Sequence, residues 1–95
     1  MKTFDDIKFQ SHPNGGGIYG TLKINEYTLS VVAGLGCYSS PKLNLQSSDD
    51  FDSFEVAVWD DKKNWVTYRF FDTCFNNDVQ GWLNRDDINN LISQL

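Results

Sequence analysis

The stretch Ile18-Tyr19-Gly20-Thr21-Leu22-Lys23-Ile24-Asn25-Glu26-Tyr27-Thr28-Leu29-Ser30-Val31-Val32-Ala33 decides the fold class. Ile18, Gly20, Leu22 and Ile24 fall on one side of a period-two pattern and Tyr19, Thr21 and Lys23 on the other, as a strand with one buried face requires. Asn25-Glu26 interrupts the pattern for the length of the tightest hairpin turns, and Tyr27, Leu29, Val31 and Ala33 then resume it. This predicts two antiparallel strands that share a buried face.

Upstream, Ile7 to His12 alternates in the same way and runs into Pro13-Asn14-Gly15-Gly16-Gly17, a turn cluster in which glycine accepts positive φ without cost. Downstream, the glycines of Gly34-Leu35-Gly36 bend or bulge the chain, and Pro41 ends its pairing. Lys42 to Ser53 is polar and aperiodic and reads as a surface loop carrying Asp49, Asp50 and Asp52. Phe54–Trp59 and Trp65–Phe71 are rich in Val, Phe, Trp, Tyr and Thr and flank the polar turn Asp60-Asp61-Lys62-Lys63-Asn64, which predicts a second hairpin. Ile88, Leu91, Ile92 and Leu95 repeat at i, i+3, i+4 and i+7 behind Asn84, Asp86 and Asp87, a capped and dipole-compatible start for an amphipathic carboxy-terminal helix. The expectation is an α+β domain over residues 1–95. It consists of a mainly antiparallel sheet of about five strands, with the carboxy-terminal helix packed on one face.

A chain of 95 residues buries roughly two thirds of its unfolded surface, enough for one core without staples. Its 40% hydrophobic content is far above that of a disordered acidic tail. The formal charge of −5 opposes direct contact with phosphate backbones, so DNA and RNA are not expected partners. No apolar run approaches the roughly 20 residues that a bilayer span needs, and Met1-Lys2-Thr3-Phe4-Asp5-Asp6 leads into no hydrophobic signal region, which predicts a cytoplasmic protein without membrane contact. In that compartment Cys37 and Cys74 read as two reduced thiols.

Motifs for chemistry are sparse. Gly15-Gly16-Gly17 precedes a strand pattern, not a helix, and so lacks the context of a phosphate loop. Asp49, Asp50 and Asp52 offer hard oxygen ligands, but they depart from the alternating spacing, sixth-position glycine and closing glutamate of a calcium loop. His12 is the single imidazole, with no nucleophile beside it in sequence; only tertiary folding would bring Cys37 or Ser39 to it, as a small hydrolase would need. No catalytic, cofactor-binding or metal-binding residue is assigned.

Recognition through the surface remains. Eleven of the 13 acidic residues are aspartates, gathered at turns. Trp59, Trp65, Trp82, Tyr19, Tyr38 and Tyr68 add aromatic area of the kind that protein interfaces use. In size, charge and simple sheet-plus-helix plan the chain resembles the small acidic inhibitors of phages and mobile elements, anti-CRISPR proteins among them. Ser30-Val31-Val32-Ala33-Gly34-Leu35-Gly36-Cys37-Tyr38-Ser39-Ser40-Pro41 and Phe54-Glu55-Val56-Ala57-Val58-Trp59 also resemble runs in small phage and bacterial proteins. The resemblance implies a non-enzymatic inhibitor that presents an acidic, nucleic-acid-like surface to a basic protein surface, such as that of a nucleic-acid-handling defence complex, in the host cytoplasm.

The expected contact set is Asp49, Asp50, Asp52, Asp60 and Asp61 for electrostatic match and Tyr38, Trp59 and Trp65 as anchors. The alternative is a bacterial immunity or accessory protein with a dedicated toxin partner. An open sheet edge also offers a route to a homodimer.

Overall fold

The computed structural model describes residues 2–13, 16–72 and 78–95. Five antiparallel strands lie in sequence order, β1 (Gln10–Ser11), β2 (Ile18–Ile24), β3 (Tyr27–Ala33), β4 (Phe54–Trp59) and β5 (Gln80–Leu83), followed by the helix α1 (Arg85–Gln94). The architecture is α+β, with one sheet and one carboxy-terminal helix.

The opening stretch folds as its pattern demands. Ile18 pairs with Ala33 and Ile24 with Tyr27, and Asn25 takes a φ of 54° at the turn, a left-handed conformation that asparagine tolerates better than most residues. Leu29, Val31, Val56 and Val58 are fully buried on the inner face, where Ile88, Leu91 and Ile92 of α1 cover them. The helix begins with a reciprocal cap: Asn84 Oδ1 accepts from the Asp87 N–H at 2.8 Å, and Asp87 Oδ2 accepts from the Asn84 N–H at 3.1 Å. Its first turn is pinned through Arg85, and its middle through Asn89, whose Oδ1 accepts from the Phe4 N–H at 2.8 Å. No helix of the described residues is long and apolar enough to cross a membrane.

Three expectations are corrected. The strand read over Ile7–His12 shrinks to Gln10–Ser11, because Thr3 and Asp6 form a capping box around a 3-10 turn, Phe4–Asp6, that drives Phe4 and Ile7 into the core. The polar stretch from Lys42 to Ser53, read as a surface loop, carries a 3-10 turn, Ser48–Asp50, and sends Phe51 inward until it is 1% exposed.

The third correction is the partner strand read over Trp65–Phe71. Trp65 bridges Trp59 and the Val66 N–H donates to the Val58 carbonyl at 2.8 Å; the chain then coils into a 3-10 turn, Thr67–Arg69, and the strand beside β4 is Gln80–Leu83. Thr67 is the reason. Its Oγ1 accepts from the Val58 N–H at 2.9 Å and donates to the Asp78 carbonyl at 2.6 Å, so one side chain satisfies β4 and anchors the approach to β5.

Candidate functional site

The helix covers one side of the sheet, and the other side carries Tyr19, Trp59 and Trp82. Alternation directs Glu55, Ala57 and Trp59 of β4 outward, opposite Val32, Ser30 and Thr28 of β3. Next to Val32 in β2 stands Tyr19, whose ring meets His12 edge-on at 5.6 Å. Small and polar residues fill the middle of this outer face, and aromatic pairs stand at its two ends.

One pair is Trp59 and Trp65, with centroids 5.7 Å apart and planes tilted by 54°. With Lys63 they line a shallow cleft of about 300 Å³. The loop behind them is closed by Asp60, whose carboxylate accepts from the Lys62 and Asn64 amides at 2.9 Å each and from Asn64 Nδ2 at 3.2 Å. Donation by the Asn64 backbone, foremost, holds the Asp60 carboxyl below its usual range. Asp60 is thus primarily a loop-closing residue, and Asp61 stands exposed beside it.

The other pair is Tyr38 and Trp82, with centroids 5.3 Å apart. Val56 pairs with Gln80 and Phe54 with Leu83, so Gly81 and Trp82 together oppose Glu55 in a β-bulge. At the bulge Trp82 adopts φ 56°, which for a bulky side chain costs of order 1–3 kcal/mol. Trp82 is nonetheless 50% exposed. The Trp82 N–H donates to the Tyr38 carbonyl at 2.8 Å, and the Tyr38 N–H donates to Glu55 Oε1 at 2.9 Å. Glycine at position 81 is required because a Cβ there would collide with the Tyr38 side chain.

The loop that presents Tyr38 is held from beneath. Ser39, fully buried, accepts the Gly34 N–H at 3.0 Å and donates to the Gly34 carbonyl at 3.2 Å, so its hydroxyl is committed to the backbone. Ser40 bridges Ser53, and the Asp52 N–H donates to the Ser40 carbonyl at 2.8 Å. Cys37 is a half-buried free thiol whose pKa is raised, first by burial and then by the Glu55 carboxylate, against the opposing charge of Lys42. Cys74 lies outside the described residues.

The proposed contact residues therefore divide. Tyr38, Trp59 and Trp65 share the outer side of the sheet, about 13 Å separating the ends marked by Glu55 and Trp59 at a strand rise of roughly 3.3 Å per residue. Asp49, Asp50 and Asp52 precede β4 in the chain, Asp52 being tied to the Tyr38 loop through its N–H on the Ser40 carbonyl, and Asp60 and Asp61 follow the carboxy-terminal end of β4. Asp49 is also 3.8 Å from the Arg85 guanidinium. Trp82 was absent from the expected anchors: it follows a glycine in a short strand, and only the bulge turns it toward Tyr38.

Among the described residues no group of three or more His, Cys, Asp or Glu side chains is placed to hold a metal ion. The outer side of the sheet is suited to contact, with rigidly mounted aromatic rings near exposed carboxylates. Comparison with family models, with curated proteins and with solved structures finds no match.

Proposed function

We propose that this chain is a non-enzymatic protein-binding inhibitor that lays the outer face of its sheet on a basic, nucleic-acid-handling surface and blocks it. The observation that carries the reading is the pair of aromatic contacts on the face that the helix leaves open, each with an acidic residue tied to its loop: Tyr38–Trp82, where the Asp52 N–H holds the Ser40 carbonyl, and Trp59–Trp65, where Asp60 and Asp61 follow Trp59. Aromatic anchors supply desolvated contact area, and flanking carboxylates steer a cationic partner and fix its register. The resemblance to small phage and mobile-element inhibitors specifies the partner further, as a host defence complex of the CRISPR-effector kind.

The test is competition. The purified protein is added to guide-loaded CRISPR effectors of several types, and target-DNA binding is measured by gel shift. Inhibition should weaken as salt rises, and Asp49→Lys with Asp50→Lys and Asp52→Lys should slow association at least tenfold at low salt. If no effector is inhibited, the defence-complex partner is excluded; if an effector is inhibited equally by the charge-reversed variant, the electrostatic mechanism is excluded.

A further inference from the structure

Lys42 lies over the Tyr38–Trp82 pair. Its ammonium sits 5.6 Å from the centroid of the Tyr38 ring and 6.0 Å from that of Trp82, within cation–π range of both, while donating to the Cys37 carbonyl at 3.2 Å. Lys42 is itself an exposed side chain on an exposed loop. Its lysine stem is flexible, so another cation can displace it.

Three features distinguish this end of the face from the Trp59–Trp65 end. Trp82 is held at positive φ while half exposed, a conformation that packing of its own ring into the core does not explain. The loop beneath Tyr38 is fixed by Ser39, Glu55 and the Ser40–Ser53 bridge, so the rings are preorganised. The same loop is tied to an acidic residue, the Asp52 N–H donating to the Ser40 carbonyl at 2.8 Å.

We propose that Tyr38 and Trp82 form a cation-binding platform for an arginine side chain of the partner, with Lys42 as a resident placeholder that the arginine displaces. A guanidinium stacks on aromatic faces and is more weakly hydrated than an ammonium, so the exchange favours arginine. The inference rests on the reading of the outer face as a partner surface. It assigns the anchoring step to Trp82 at this end.

The three tryptophans give a direct readout, one indole N–H signal each. The probe is a tetra-arginine peptide titrated into the ¹⁵N-labelled protein, with its tetra-citrulline counterpart as the uncharged control. The Trp82 indole should shift with tetra-arginine and not with tetra-citrulline, while the Trp59 and Trp65 indoles stay in place. Lys42→Met should tighten the peptide about threefold, and Trp82→Asn, which keeps a residue tolerant of positive φ, should weaken it at least tenfold. Shifts confined to Trp59 and Trp65 would overturn the platform yet leave the outer face as the cationic-partner surface. Equal shifts with citrulline would remove the cation argument, and no shift at any indole would remove both readings.

Discussion

The hydroxyl of Thr67 stands 2.9 Å from the Val58 amide and occupies the position that a partner strand's carbonyl would take. Thr67 Oγ1 also reaches the carbonyl of the exposed Asp78 at 2.6 Å, while Thr67 and Val58 are fully buried. Thr67→Val keeps the shape and removes the hydroxyl, which leaves a buried donor and a carbonyl unpaired. At about 1–3 kcal/mol for a buried group left unsatisfied, the unpaired Val58 donor should make urea unfolding show a loss of about 1–3 kcal/mol. Thr67→Ser, which retains the hydroxyl, should lose about 1 kcal/mol.

Arg85 supports a different prediction. Its guanidinium donates to the Phe51 carbonyl at 3.2 Å and the Ser48 carbonyl at 2.5 Å, and lies over the Phe4 and Phe54 rings at 5.1 and 5.4 Å. Charged hydrogen bonds to carbonyls of a half-covered loop outweigh its 3.8 Å ion pair with Asp49, whose side chain is 93% exposed. Arg85→Ala should therefore cost about 2–3 kcal/mol in denaturant unfolding, and Asp49→Asn less than about 0.5 kcal/mol. Equal losses would make the ion pair the dominant contact.

Asp60 links the Trp59–Trp65 end to pH. Its folded pKa lies below its unfolded value, so the stabilisation it gives is present above the unfolded carboxylate pKa and is lost as pH falls through the folded one. The Asn64 amide, followed by NMR in acid titration, should lose its downfield hydrogen-bonded shift in that window. In Asp60→Asn the Asn64 transition should disappear.

Cys37 reports on the Tyr38 end. A raised pKa keeps the thiolate scarce at neutral pH, so iodoacetamide should modify Cys37 more slowly than an unshifted thiol in a Cys74→Ser background. Glu55→Gln should speed the reaction by removing a charge that opposes the thiolate, and Lys42→Met should slow it. A rate unchanged in both variants would mean that burial alone controls the thiol.

Trp82 carries strain and contact at once. Removing its ring forfeits a stack of about 0.5–1.5 kcal/mol, and placing asparagine at φ 56° recovers part of the backbone cost. Thermal unfolding of Trp82→Asn should stay within about 1 kcal/mol of the parent. A much larger destabilisation would make the ring a structural element.

The hairpin from Ile18 to Ala33 and the helix from Arg85 to Gln94 were legible because their signals are local: a period-two pattern across a two-residue turn, and an apolar stripe behind a capping residue. Phe54, Val56 and Val58 alternate with Glu55, Ala57 and Trp59, so their common face is legible for the same reason. Trp65–Phe71 misled because β-propensity measures fit to a half-buried pleated surface, and here Thr67 supplies β4 with side-chain partners instead of a strand.

What the sequence determined by itself was the class of fold and the composition of its surface, aromatic and acidic, since pattern and charge need no partner to be read. The tertiary structure alone decided that Gln80–Leu83 closes the sheet, that Asp60 serves its own loop, and that Trp82 meets Tyr38 under Lys42. The strand pairing and the Trp82–Tyr38 contact depend on residues far apart in the chain coming within a few ångströms, Asp60 on how its own turn closes, and the bulge that turns Trp82 toward Tyr38 is set by the register of the β4–β5 pairing.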